Sequence, residues 1–321
     1  MDYINDKSLQ NIKYENDPFP YTIIDNFLQS DKLVQILYYI NNLKDNDADS
    51  KFINPINKYE FNKYAFNKNY GDYLKNIFIE LNSDIFVDYL EKLTGIKGLM
   101  RNNLDLAGAG IHRILKGGYL QLHTDFNTYN YGEPNGNLYI NNEYNTYFGD
   151  PCINEYKILT LTYKDNNDNE FIKTFKENTE INIKNIKEII RATYGTYLKK
   201  IDILEKIKKL LEKDNILMDR RINLLIYMNP EWKEEYKGSL CLCDKNNNSC
   251  VKKISPILNR CVIFNTSNKS IHGHPEPLNV PDHIRRQSIA VYYYTKNTNK
   301  NFDFEGDKQH GTIFYRNIKI N

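Results

Sequence analysis

The second half of the chain is a series of short apolar runs separated by turn-forming residues: Ile222–Met228, Gly238–Asp244, Val251–Ile254, Arg260–Asn265 and Ser288–Thr295. Such a series predicts an antiparallel sandwich or barrel. Tyr119–Phe126 reads as a further strand, with Gly117-Gly118 ahead of it as the clearest breaker. The first half adds a strand at Phe19–Leu28. A helix follows, with Asp31 as N-cap and Leu33, Ile36, Leu37 and Ile40 on one face. Tyr73–Leu93 has helical spacing with a break at Asn82-Ser83, and the Asn/Lys/Asp-rich stretch 45–70 reads as loop.

Residues 128–217 interrupt the strand series. They open Tyr/Asn/Gly-rich, hold a strand at Lys157–Tyr163 and end in two helical patterns. The second, Leu198–Lys213, aligns Ile201, Leu204, Ile207, Leu210 and Leu211 against Lys and Glu. The expectation is one domain over 1–321, with a core of 17–127 and 218–296. The partly helical insertion 128–217 serves as a lid or interaction subdomain. Its stripe is expected to pack on the core as a partial lid, with a dimer interface as the alternative.

Two histidines and one carboxylate lie on the strands of the β-rich part. His123 and Asp125 stand at i, i+2, so period-two alternation directs both side chains to one face. His272, beyond the apolar strand Arg260–Asn265, offers a third ligand from another strand. Two imidazoles and a carboxylate can occupy one face of an octahedral iron(II), leaving the other open for a chelating 2-oxo acid and dioxygen. Fourteen residues after His272, Arg286 supplies a planar fork suited to a carboxylate. Ser288, on the same face, adds a hydroxyl. Each element alone is weak: most His-x-Asp pairs bind nothing, and Arg285-Arg286 alone would read as an exposed basic pair. Their order, on the strands of one region, makes the metal reading specific.

The chain resembles the prolyl-hydroxylase-like branch of the 2-oxoglutarate/iron(II) dioxygenases. The matching text is Gly-Ala-Gly-Ile-His-Arg (108–113), Gly-Gly-Tyr-Leu-Gln-Leu-His-Thr-Asp-Phe-Asn (117–127), Arg-Arg-Ile-Asn-Leu-Leu-Ile-Tyr-Met-Asn-Pro-Glu-Trp (220–232), Asn-Arg-Cys-Val-Ile-Phe-Asn-Thr (259–266), Ile-His-Gly-His-Pro-Glu-Pro-Leu (271–278) and Arg-Gln-Ser-Ile-Ala-Val-Tyr-Tyr-Tyr-Thr (286–295). The resemblance implies a mainly β fold with supporting α-helices, a double-stranded β-helix or jelly-roll core. It implies iron on His123, Asp125 and His272, with His274 the less fitting histidine of His-Gly-His-Pro. It implies that Arg286 and Tyr227 hold the distal carboxylate of 2-oxoglutarate. Asn127 and Arg220 fall near the expected substrate mouth. Fe(II), 2-oxoglutarate and dioxygen are the implied cofactor and co-substrates, with ascorbate (vitamin C) as a reductant.

Other features carry less. Net charge is +2, with 26% charged and 40% hydrophobic residues, which gives no electrostatic footprint for nucleic acid or a membrane surface. Position 292 is Tyr, where the nucleic-acid-demethylating branch of the superfamily carries a second arginine. The five cysteines read as free thiols. Cys241, Cys243 and Cys250 lack a fourth ligand for structural zinc. No signal peptide, retention signal or membrane span is visible, so a cytoplasmic location is expected. The expected activity is hydroxylation of a protein or peptide side chain, prolyl above all, by a monomer or homodimer. A small molecule or sugar-like metabolite is the alternative substrate, and a jelly-roll binding module with a vestigial site is the non-enzymatic alternative.

Overall fold

Backbone hydrogen bonding decides where each apolar run ends up, because a buried N–H or C=O must find a partner. The computed structural model describes residues 1–102, 109–246, 248–296, 311–315 and 318–320. Gly108, which opens one of the motifs quoted above, lies outside the described residues. Two compact units emerge: Met1–Tyr129 together with Leu217–Asn321, and Asn130–Ile216. In chain order the elements are β1 (Tyr21–Ile24), α1 (Ser30–Asn42), β2 (Ser50–Phe52), β3 (Glu60–Phe66), α2 (Gly71–Leu81), α3 (Asp84–Thr94), β4 (Gly110–Thr124) and β5 (Thr128–Ile140). There follow α4 (Tyr144–Phe148), β6 (Ile158–Asp165), β7 (Glu170–Lys176), β8 (Ile181–Ile183), β9 (Ile186–Gly195), β10 (Lys200–Asp202), α5 (Leu204–Leu210) and β11 (Leu211–Tyr227). The series closes with β12 (Leu240–Asp244), β13 (Ser249–Ile254), β14 (Cys261–Asn265), β15 (Ile271–His274), β16 (Arg286–Lys296) and β17 (Ile313–Phe314).

The first unit is the expected jelly roll, a curled antiparallel sheet in the strand order β1-β14-β11-β16-β4-β15-β12-β13. Strand β4 does the curling. Its first part pairs with β16, Ile114 opposite Arg286, and its last part pairs with β15, His123 opposite His272. Between them Gly117 adopts φ 72°, and the register against β3 jumps from Phe61–Tyr119 to Lys63–Ile114. The expected break at Gly117-Gly118 is therefore a bulge inside one strand of 15 residues, which bends the sheet instead of ending it.

Alternation then sorts the faces. Ile222, Leu224 and Ile226 of β11 and Ile289, Val291 and Tyr293 of β16 meet Ile36 and Ile40 of α1, Leu74, Ile77, Phe78 and Leu81 of α2 and Phe86, Val87 and Leu90 of α3. On the other face, Leu225 and Tyr227 of β11 pack with Leu240 and Leu242 of β12 and Val262 and Phe264 of β14. That second face is the inside of the jelly roll. The break at Asn82-Ser83 is real: Ser83 caps α3, its hydroxyl accepting from Phe86 N. The first helix starts at Ser30, with Gln29 in the N-cap position and Asp31 in its first turn, in place of the expected Asp31 cap. The stretch 45–70 is not all loop, since it holds β2 and β3, paired to each other and, through β3, to β4.

The second unit corrects the helical expectation for 198–213. That segment is strand β10, the short helix α5 and the start of β11. The unit is built on a four-stranded sheet in the order β10-β9-β6-β7, beside the pair β5–β8. Ile207 is buried in the unit's own core with Leu159, Leu161, Ile189, Ala192 and Tyr194, and Ile201, Leu204, Leu210 and Leu211 pack on that core. The apolar stripe is consumed there, so it supplies no argument for a lid or a dimer face. No helix among the described residues is long and apolar enough to cross a membrane.

Candidate active site

Register brings the three candidate ligands together. His123 and His272 are direct cross-strand partners on β4 and β15, and Asp125 stands just beyond the end of β4. All three are buried, and one ligand atom from each lies within 4.8 Å of the others. Among the described residues this is the single cluster of its kind, and the cysteines form none. His123 Nδ1 lies 2.8 Å from Gln121 O, and His272 Nδ1 lies 2.9 Å from Ser270 O. A carbonyl only accepts, so each Nδ1 carries the proton and each Nε2 presents its lone pair. His123 Nε2 is 3.5 Å from Asp125 Oδ1, and His272 Nε2 is 3.6 Å from Asp125 Oδ2. Cis ligands about 2.1 Å from a first-row divalent ion lie about 3 Å apart, so small side-chain adjustments close the set.

The carboxylate is held from the far side by β11. Asn223 Nδ2 donates to Asp125 Oδ2 at 2.7 Å, and Arg220 Nη2 lies 3.3 Å from the same oxygen. Arg220 also donates to Asn223 Oδ1 from Nε and Nη2, at 3.2 and 2.9 Å. Its guanidinium lies 3.6 Å from the Tyr292 ring centroid and 4.7 Å from that of Phe126. With Oδ2 engaged twice, Oδ1 is the oxygen left for a metal. Burial works to raise the Asp125 pKa, but Arg220, His272 and His123 hold it well below the carboxylate range. Burial and His123 push His272 down to about 4. Asp125 and His272 are thus in metal-binding protonation states at neutral pH. Donor types, burial and tautomers all fit a ferrous ion.

Arg286 opens β16 and is buried with no acidic partner among the described residues. Its Nε donates to Gly238 O at 2.8 Å, and Nη2 reaches the Tyr227 hydroxyl at 3.4 Å. A buried guanidinium without a counter-ion is costly, and Arg286 lines a cavity with room for an anion. That cavity, about 440 Å³, is lined by His123, Asp125, His272, Arg286 and Ser288, and also by Phe52, Phe126, Tyr292 and Phe314. Ser288 pairs with Tyr227 on β11 and with His112 on β4. Tyr227 is fully buried and reaches the site through Arg286.

Several lining residues were not foreseen from sequence: Glu60, Lys63, His112, Asn223 and His274. Glu60 and Lys63 form an ion pair at 2.9 Å on β3, inside the stretch read as loop. Asn223 had a readable signal. It is a polar residue two positions from Leu225 and four from Tyr227, on the inward face of an otherwise apolar strand.

Residues 191–294 match the family model of the 2OG-Fe(II) oxygenase superfamily. The matched span contains His272, Arg286, Tyr227 and Ser288, whereas His123 and Asp125 lie before it. No curated protein matches the chain. Among solved structures, similarity is found to a Trichoplax adhaerens prolyl hydroxylase in complex with a hypoxia inducible factor oxygen degradation domain peptide. Identity is 15% over 85% of this chain and 83% of that one, with a TM-score of 0.42. A Pseudomonas putida prolyl-4-hydroxylase is 11% identical over 86% and 92%, with a TM-score of 0.41. HygX from Streptomyces hygroscopicus, with nickel, 2-oxoglutarate and hygromycin B bound, is 11% identical over 87% and 83%, with a TM-score of 0.39. The family-model match supports the resemblance to 2-oxoglutarate/iron(II) oxygenases carried by the motifs above. Fe(II), 2-oxoglutarate and dioxygen are the cofactor and co-substrates it brings.

Proposed function

We propose that this oxygenase hydroxylates a protein or peptide side chain, in the first instance prolyl, with 2-oxoglutarate converted to succinate and carbon dioxide. The observation that carries the reading is the buried His123, Asp125, His272 cluster sharing one cavity with the unpaired Arg286. Ferrous iron, when bound by these three residues, supplies the activation of dioxygen that no side chain can perform. The protein's share is binding and orientation. His123 and His272 offer Nε2 because backbone carbonyls hold their Nδ1 protons. Asp125 offers Oδ1 because Asn223 and Arg220 hold Oδ2. Arg286, supported by Tyr227 and beside Ser288, receives the distal carboxylate of the co-substrate. Phe52, Phe126, Tyr292 and Phe314 give the cavity an aromatic wall suited to a pyrrolidine ring.

A second reading has its own support. The Glu60–Lys63 pair lines the same cavity and suits a charged small metabolite. The inserted unit leaves the core after Tyr129 and rejoins it at Leu217, within a few residues of Asp125 and Arg220 in sequence. That placement supports a role as lid or interaction subdomain. One experiment tests the function. The Fe(II)-loaded protein is incubated with 2-oxoglutarate and with peptide and metabolite pools, and products are screened by mass for gain of one oxygen. A prolyl peptide product is expected. A metabolite product favours the second reading. Absence of succinate from both wild type and Asp125→Ala removes the enzymatic reading altogether.

A further inference from the structure

His274 ends β15, two residues beyond His272, and faces Leu120 of β4 in the register. Its side chain lines the cavity with only 3% of the residue exposed. Neither ring nitrogen has a hydrogen-bond partner. Leaving two polar atoms buried and unmatched is unfavourable, and native proteins rarely do it unless a ligand or water completes the set. A neutral imidazole has one N–H to give and one lone pair.

The same cavity holds a second group in want of a partner. Arg286 spends Nε on Gly238 O and makes one long contact to Tyr227, and the rest of its fork meets no acceptor among the described residues. Leu120, Leu240 and Ile114 supply the apolar remainder of this part of the wall. An imidazole N–H and a guanidinium, both unsatisfied and lining one cavity, call for one acceptor group with two oxygens.

We propose that His274 is a specificity-determining residue of the co-substrate pocket, donating its ring N–H to the distal carboxylate that Arg286 also holds. This rests on the 2-oxoglutarate-dependent reading above. It assigns His274 a role distinct from metal ligation, although it stands in the same His-Gly-His motif as His272. The consequence is discrimination: a 2-oxo acid with a second carboxylate satisfies both donors, and one without it leaves both unmatched.

The test uses full-length protein loaded with Mn(II), with binding measured by calorimetry in the absence of dioxygen. The probes are 2-oxoglutarate and 2-oxopentanoate, which lacks the distal carboxylate. In wild type, 2-oxoglutarate should bind far more tightly. In His274→Leu its Kd should rise roughly ten- to a hundredfold, the range for loss of a hydrogen bond to a charged group. The Kd of 2-oxopentanoate should stay within about twofold, so the preference collapses. His274→Gln, which keeps an N–H donor, should recover part of the loss and remains available should the Leu variant not fold. Mn(II) affinity should be unchanged in both variants. An unchanged 2-oxoglutarate Kd in folded His274→Leu overturns the proposal, and so does an equal loss for both probes in either variant. If wild type binds neither 2-oxo acid, the underlying oxygenase reading fails instead.

Discussion

The contact most open to a quantitative test is the one that orients the carboxylate. Asn223→Leu keeps similar volume and removes the 2.7 Å donation to Asp125 Oδ2, together with the acceptor for Arg220 Nε and Nη2. A buried hydrogen bond to a charged group contributes about 1.5–3 kcal/mol. The stranded Arg220 donors add to the loss, so about 3 kcal/mol of stability should disappear from the metal-free protein. Asp125 stays ionised because Arg220 Nη2 remains 3.3 Å away. Its carboxylate can then rotate, and Oδ1 is no longer the only oxygen free to ligate. Loss of such an outer contact lowers metal affinity by about ten- to a hundredfold. Urea unfolding of metal-free protein reads the first effect, and calorimetric Mn(II) titration reads the second. The two effects are separable. A destabilised variant with wild-type Mn(II) affinity would show that Asn223 serves the fold alone. Wild-type values in both assays would refute the orientation argument.

Two further outcomes follow from the geometry. A Cβ on Gly273 would stand 2.7 Å from Gln121 O and 2.9 Å from Leu120 O, both backbone atoms. Gly273→Ala should therefore push β15 off β4, cost about 1–3 kcal/mol in thermal unfolding and weaken Mn(II) binding by separating His272 from His123; a variant with unaltered melting and metal affinity contradicts this. Burial and the cations Lys63, Arg220 and Arg286 push His112 down to about 3, so between about pH 6.5 and that value only the unfolded chain takes up its proton. Its contribution to metal-free stability is then complete above about pH 6.5 and shrinks as pH falls toward 3, so His112→Asn should flatten the pH dependence of urea unfolding, and an unchanged slope between about pH 7 and pH 5 counts against it.

The candidate ligands were legible because their strand signals are local. His123 and Asp125 share a face by simple alternation, and the runs around Ile222–Met228 and Arg260–Asn265 are bounded by turn residues. The helices over 71–94 were legible for the same reason, down to the Ser83 cap. Strands β2 and β3 were not. Every residue of β3 before Ala65 is only half-buried, and Lys63 and Glu60 sit within it. Such a strand is stabilised by pairing to β4 and not by an apolar alternation of its own, so no pattern in 45–70 announces it. Missing it meant missing the Glu60–Lys63 pair in the cavity.

The inserted unit shows why counting residues misled. Along β9 the buried positions Ile186, Ile189 and Ala192 recur every third residue, which imitates a helix. The ladder to β6 shifts register twice here, between Thr162 and Tyr163 and between Lys164 and Asp165. Each shift places an additional β9 residue opposite β6, turning a period of two into a period of three without any helix. The stripe of Ile201, Leu204, Ile207, Leu210 and Leu211 misleads differently. It is a strand residue, one turn and a half of helix, and the first residue of another strand, gathered on one core. Gly117-Gly118 is the same effect at the site itself, since the bulge it forms lets a single strand carry both Ile114, opposite Arg286, and His123, opposite His272. Spacing along the chain therefore locates chemistry only where the ladder is regular. At a bulge, cross-strand register decides which residues meet, and in this molecule a bulge lies between the end of β4 that pairs with His272 and the end that pairs with Arg286.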